Sequence, residues 1–228
     1  MNATASAADR ALPLPANRGV YYGGAWHEPA SGRFEETLNP STGASLGCVA
    51  VGNAADVDAA VAAARRGFAE WRDVVPLERA RILRQIAVVL RKHAPELALI
   101  DAANCGNPVR EMVNDAAIAA AQLDFFAGLV TEVKGASIPM GPDVVNFSVR
   151  EPVGVVARIF PFNHPFMFAA GKSAAPLAVG NSVVIKPPDQ APLSTLRLAE
   201  LIDGLLPAGV FNVVPGDRDT GAALVAHR

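Results

Sequence analysis

Val155-Val156-Ala157-Arg158-Ile159-Phe160, Ser182-Val183-Val184-Ile185-Lys186 and Val210-Phe211-Asn212-Val213-Val214 decide the fold. Each is a short, apolar, β-branched run of the kind that a strand buried on both faces requires. Between them lie two segments of helical character. One is rich in small residues over roughly 165–179 and is stopped by Gly180-Asn181; the other spans about 193–206 and is stopped by Pro207-Ala208-Gly209. A last helix begins near Asp219-Thr220 and runs to Arg228. Strict β/α alternation with helices of this length predicts a parallel sheet with right-handed crossovers. The class is therefore α/β, and residues 152–228 read as the first βαβαβ half of a doubly wound nucleotide-binding domain. Such a half leaves sheet edge and apolar surface uncovered, so the doubly wound sheet is expected to be incomplete and the chain to be the opening of a longer design.

Working back from Val155, the pattern changes after Gly135, and Val144 to Glu151 alternates as a strand would. Helices are expected from Asn53 to Lys134. Asn53 is an N-cap with Asp56 in the first turn. Val57, Ala60, Val61, Ala64, Phe68 and Trp71 then recur at the spacing of one buried face. Pro76 fits the first turn of the next helix, whose face is Ile82, Leu83, Ile86, Val89 and Leu90 and whose end carries Arg91, Lys92 and His93. Pro95 and Pro108 are each expected to start a further helix, with Gly106 as a stop. Earlier still, Val20–Tyr22 and Ala25–His27 flank Gly23-Gly24, a hairpin signature. Phe34–Leu38 and Ser45–Val51 form a second pair around Asn39-Pro40-Ser41-Thr42-Gly43. Residues 1–19, rich in Ala and Pro, read as a loosely ordered tail, and 20–130 as the N-terminal hairpins and helices of the same domain.

A formal net charge of −2 without blocks of like charge argues against nucleic acid and anionic membrane as partners. The longest apolar runs are too short to span a bilayer, and the N-terminus lacks the pattern of a secretory signal. Cys48 and Cys105 form no CxxC pair, which favours a reducing, cytoplasmic setting. No residue set is assigned to a metal.

Three clusters fall at the carboxyl ends of the parallel strands, where open α/β sheets bind ligands. The G-x-G-x-x-G fingerprint is absent. Phe160-Pro161-Phe162-Asn163-His164-Pro165 holds an amide between two prolines, from which its N–H can stabilise an oxyanion; taken alone, Asn beside Pro is also common in turns. Val183-Val184-Ile185-Lys186-Pro187-Pro188-Asp189 places a carboxylate three residues beyond a buried-strand lysine, a pair that can hold ribose hydroxyls and a phosphate. Singly, these are equally a solvated lysine and a helix-capping aspartate. In Val210 to Gly216, the glycine lets backbone approach a ligand closely.

Taken together, the stretch PFNHPFMFAAGKSAAPLAVGNSVVIKPPDQAPLSTLRLAELI followed by LPAGVFNVVPG resembles the first conserved blocks of the aldehyde dehydrogenase superfamily. The hairpins and helices of 20–150 also fit its N-terminal portion. The resemblance implies an aldehyde dehydrogenase-like fold and gives roles to particular residues. Asn163 matches the oxyanion-stabilising asparagine, and Lys172 a lysine of the proton relay around the general base. Phe160, Pro161 and Phe162 match the wall along the cofactor. Lys186, with Pro187, Pro188 and Asp189, matches the adenosine-ribose clamp, and Gly216 lies at the adenine side. His164, Met167, Phe168 and Gly171 resemble positions lining the substrate tunnel. A glycine at 171, where relatives often carry a bulky residue, points to a wider pocket and an aromatic or bulky aldehyde. Residues 131–151 resemble part of an oligomerisation arm.

Three positions depart from the pattern. Phe162 replaces the commoner tryptophan, Arg218 stands where many members have a second glycine, and Asp189 is shorter than the usual glutamate. The implied cofactor is NAD or NADP, with NAD slightly favoured. The implied activity of the parent enzyme is oxidation of an aldehyde to a carboxylic acid, in a homodimer or homotetramer. The family's nucleophilic cysteine, its glutamate base and the pyrophosphate turn are expected beyond residue 228. Cys48 and Cys105 are expected to be structural, and the isolated chain to give no turnover. Two rivals stand beside this reading. One is a non-catalytic fragment or gene remnant; the other is a CoA-acylating dehydrogenase sharing the same blocks.

Overall fold

A computed structural model describes residues 12–228. In chain order the elements are β1 (Val20–Tyr22), β2 (Ala25–His27), β3 (Phe34–Leu38), β4 (Ser45–Ala50), α1 (Ala54–Trp71), α2 (Pro76–Cys105) and α3 (Val109–Gly128). They continue with β5 (Ser137–Pro139), β6 (Val145–Phe147), β7 (Val155–Ile159), α4 (Pro165–Gly171), α5 (Ala174–Ala178), β8 (Ser182–Lys186), α6 (Leu193–Ile202), β9 (Phe211–Val213) and α7 (Arg218–Ala226).

The three deciding runs form β7, β8 and β9, and β8 pairs parallel with both neighbours. Every residue of β8 is buried, as a central parallel strand demands. The sheet is larger than those runs alone predict. Its order is β2-β1-β9-β8-β7, with β1 antiparallel to β9 and to β2. The N-terminal hairpin thus covers the edge of β9 that the strand pattern alone leaves open, and makes the sheet mixed. Asn212, fully buried in β9, fixes this docking. It accepts from Gly23 N–H (3.1 Å) and donates to the carbonyls of Val183 (3.0 Å) and Gly209 (2.7 Å). Tyr21 Oη adds a bond to Asp203 Oδ1 at 2.7 Å.

Helix α1 opens with the expected cap: Asn53 accepts from Ala55 and Asp56, and Asp56 accepts in return from Asn53 N–H. Its far end buries Trp71 completely, with the indole N–H on the Leu177 carbonyl at 2.9 Å. Gly67 lets the helix touch the loop before β9, since a Cβ there would fall 2.4 Å from the Gly209 carbonyl carbon.

Several expectations are redrawn. Pro95 does not start a new helix; α2 runs through it from Pro76 to Cys105. An interior proline loses one backbone hydrogen bond and costs about 3 kcal/mol. Leu83, Ile86 and Leu90 before it, and Leu97 and Ile100 after it, bury in the same core and offset that cost. The helix expected over 165–179 is two pieces, because Pro176 has no N–H to offer the Lys172 carbonyl. Helix α6 stops at Ile202, where Asp203 turns extended toward Tyr21. Of 144–151, only Val145–Phe147 is strand; it pairs with β5 in an exposed hairpin with no core face to extend it.

Residues 1–11 of the expected tail lie outside the described residues. Residues 12–19 are held rather than loose. Leu12 and Leu14 pack on the main core, Asn17 donates twice to Glu200 Oε1, and Arg18 donates to the carbonyls of Pro15 and Leu46. Among the described residues, no helix is long and apolar enough to cross a membrane.

Candidate functional site

The loops leaving β7, β8 and β9 carry the chemistry-bearing residues, and the last turn of α2 braces two of them. Asp101 and Asn104 lie on that turn, and Asn107 follows its left-handed cap, Gly106. Phe166 N–H donates to Asp101 Oδ2 at 3.2 Å, and Asn107 Nδ2 donates to the Asn163 carbonyl at 2.6 Å. From α3, buried Asp115 places Oδ2 2.7 Å from His164 Nδ1. The β7 loop is thus anchored at 163, 164 and 166. Asn163 itself is exposed, and its side-chain amide makes no hydrogen bond among the described residues.

Asn104 does the same for the β8 loop. Its amide donates to Thr37 Oγ1 (2.8 Å) and the Gln190 carbonyl (3.2 Å) and accepts from Leu193 N–H (3.2 Å). That pins the segment following Lys186, Pro187, Pro188 and Asp189. Lys186 is 7% exposed and forms no ion pair among the described residues. Burial lowers its pKa, against the opposing pull of Asp189 and Asp217. Asp189 and Gly216 line one small cleft with Pro215, Asp217 and Val51. Gly216 is obligatory there, because a Cβ would meet Thr220 Oγ1 at 2.1 Å. Thr220 in turn donates to the Gly52 carbonyl, and Asp217 caps α7.

A vicinal diol both donates and accepts, so the lysine ammonium beside an exposed carboxylate fits a ribose. The acidic lining matters too. Glu35 and Glu36 of β3 face this cleft, and Arg33 is already engaged by Glu35 and by Asp217.

Phe160 is buried, while Pro161 and Phe162 are exposed. Phe162 and Asp189 line a larger cavity of about 500 Å³ that also includes Cys105. Burial pushes the Cys105 thiol up to about 11, and the carboxylates of Asp101 and Asp115 act in the same direction. It is held as a thiol at neutral pH, while Cys48 is exposed on β4.

Helix α4 gathers His164, Met167 and Phe168 at its first turns, half-buried, with the Phe168 ring 6.3 Å from Phe160. Lys172 is exposed at the other end of α4 and lines a separate cavity with Gln122, Phe125 and Arg158. Gly171 borders the same cavity, of about 440 Å³. A Cβ on it would lie 2.1 Å from Gln122 Oε1 and 3.4 Å from Ala119 Cα, so α3 fills the notch.

Asp101, Asn104, Asn107, Asp115 and Gln122 escaped the sequence reading. For the two aspartates a signal existed. Asp101 follows Leu97 by four residues and Asp115 follows Met112 by three, so each is a carboxylate on a buried helical face.

Comparison with known proteins gives this arrangement a place. The model of the aldehyde dehydrogenase family matches residues 26–228. The chain belongs to the aldehyde dehydrogenase family. It is 48% identical over 218 residues to aldehyde dehydrogenase tropH of Talaromyces stipitatus, covering 94% of this chain and 42% of that protein. The crystal structure of PnpE from Pseudomonas sp. WBC-3 superposes with a TM-score of 0.89 at 38% identity, over 92% of this chain and 44% of PnpE. An aldehyde dehydrogenase from Bacillus cereus, solved as its NAD+ complex, gives a TM-score of 0.89 at 35% identity, over 92% and 44%. This aldehyde dehydrogenase chain therefore spans less than half the length of the relatives it matches.

Proposed function

We propose that the complete protein oxidises an aldehyde to the carboxylic acid with a nicotinamide dinucleotide as electron acceptor. In this reading the present chain supplies the oxyanion donor and the adenosine clamp. The observation that carries it is convergence within a chain of this family. Asn163, Lys186 with Asp189, and Gly216 stand at the carboxyl ends of three adjacent parallel strands.

Asn163 would donate its side-chain N–H to the carbonyl oxygen as negative charge develops there, from a loop already fixed at three points. Lys186 and Asp189 would hold the ribose, and Gly216 would admit the adenine side. Phe160, Pro161 and Phe162 would form the wall along the cofactor, and Lys172 the far end of the proton relay. His164, Met167 and Phe168 would line the approach of the aldehyde. A nicotinamide bound there supplies the hydride acceptor. NAD fits better than NADP, because a 2′-phosphate would meet Glu35, Glu36, Asp189 and Asp217. Neither Cys48 nor Cys105 is the nucleophile in this reading, and the thiolate and base belong to the part of the relatives' length this chain does not span. The free cysteines favour a cytoplasmic setting. The hairpin β5–β6, with Val145 85% and Phe147 66% exposed, supports an arm that pairs with a second copy.

The test is turnover by the protein expressed from its complete coding sequence, with NAD and NADP, acetaldehyde and benzaldehyde. Aldehyde-dependent NADH and free acid are expected, and the 228-residue chain alone should give neither. Acyl-CoA formed only with added CoA would transfer the chain to the acylating class. No reduction of either nucleotide would overturn the proposal.

A further inference from the structure

Arg33 bridges two carboxylates at the cleft that holds Asp189 and Gly216. Its guanidinium pairs with Glu35 and reaches Asp217 Oδ2 at 3.0 Å, so the start of β3 is clasped to the N-cap of α7. Arg33 and Glu35 are both half-exposed, and an exposed pair of this kind adds little to stability. The clasp therefore has a reason other than holding the fold. Glu35, Glu36, Asp189 and Asp217 all line the cleft. Against the pull of burial, the N–H groups of Thr220 and Asp219 and the Arg33 guanidinium lower the Asp217 pKa, so that carboxylate is charged at neutral pH. Lys186 feels both Asp189 and Asp217 and forms no ion pair among the described residues. Four carboxylates thus stand against two cations, and one of those cations is already divided between two of the acids. Arg218, beside Asp217, is exposed and lies outside the cleft lining.

We infer that Glu35 and Asp217 are specificity-determining residues, which exclude a 2′-phosphate both by keeping the cleft anionic and by holding Arg33 between them. The inference rests on the reading of this cleft as the adenosine-ribose site, and it names what selects the nucleotide there. A dianionic 2′-phosphate would enter a site where negative charge is in excess. A 2′-hydroxyl carries no charge to repel and can donate to a carboxylate. Removing the two acids reverses both effects at once. The field weakens, and the freed guanidinium offers the planar fork that pairs with phosphate.

The experiment uses the protein expressed from its complete coding sequence, with 5′-AMP and adenosine 2′,5′-bisphosphate as probes that differ only in the 2′-phosphate. Calorimetric titration should show the wild type favouring 5′-AMP. Combining Glu35→Gln with Asp217→Asn should shift the ratio of the two affinities toward the bisphosphate by about tenfold, and by less at high salt. Asparagine also caps a helix, so α7 keeps its first turn in this double variant. Adding Arg33→Ala should take back part of the shift, because the repulsion stays relieved while the fork is gone. The NADP-to-NAD ratio of kcat/KM should move in the same direction. A wild type that prefers the bisphosphate would overturn the inference while the nucleotide reading stands, as would a double variant whose ratio moves by less than about twofold. A triple variant that kept the whole shift would overturn the part assigned to Arg33. Binding of neither probe to the wild type would sink the nucleotide reading itself, and the inference with it.

Discussion

The side-chain amide of Asn107 donates to the main-chain carbonyl of Asn163 across 2.6 Å, tying the end of α2 to the loop that leaves β7. Because the contact is to backbone, it holds the main chain from which the Asn163 side chain projects and leaves the amide unoccupied. Replacing Asn107 with Ala should lower kcat by roughly fivefold, the worth of about 1 kcal/mol. The apparent affinity for the nucleotide should not change, since Asn107 makes no bond to the β8 loop. Steady-state kinetics with aldehyde and nucleotide varied separately would separate the two effects. A change confined to nucleotide KM would contradict this arrangement.

Asp101 predicts a pH signature in stability. Burial raises its carboxyl from 3.8 to about 7 in the folded chain. The folded state then binds the proton more tightly than the unfolded state between those values. Its contribution is therefore most favourable below about pH 4 and declines as pH rises toward 7. The difference of about three pH units sets an upper bound of about 4 kcal/mol. Asp101→Asn removes the titration, so its stability relative to wild type should rise across pH 4 to 7 and level off above. Denaturant unfolding at several pH values would show it, and a pH-independent difference would contradict it.

Gly171 and Gln122 form a steric pair between α4 and α3. Gly171→Ala should destabilise the protein by about 1–3 kcal/mol through overpacking. Gln122→Ala, which opens the notch, should recover part of that loss in the double variant. A thermal-unfolding double-mutant cycle measures the coupling. Additive effects would mean that Gln122 yields freely.

The strands and their ends were legible because buried parallel strands write themselves as short β-branched runs with loops at fixed intervals. The capping box at Asn53 and Asp56 and the hairpin at Gly23-Gly24 were legible for the same reason: local chemistry dictates them. What stayed hidden depended on partners distant in sequence. Nothing near Pro95 says that Leu97 and Ile100 will bury well enough to carry a helix through it. Nothing near Tyr21 says that it will pair with Val213 and close the sheet edge. At the site, motif matching singled out residues at the strand ends but missed Asp101, Asn104 and Asp115, which brace those loops from two helices, and Asn107, which does so from the turn between them. Gly171 shows the same dependence, since part of the space its missing side chain leaves is taken by Gln122 of α3.

The most direct test of the account is Asn163→Ala in the protein expressed from its complete coding sequence, with kcat measured for aldehyde-dependent NADH formation. Loss of a single oxyanion donor should reduce kcat by about 10²–10³, with nucleotide binding and unfolding unchanged. A kcat within about twofold of wild type would contradict the assignment of Asn163 as that donor, and with it the reading of the β7 loop as the reaction centre.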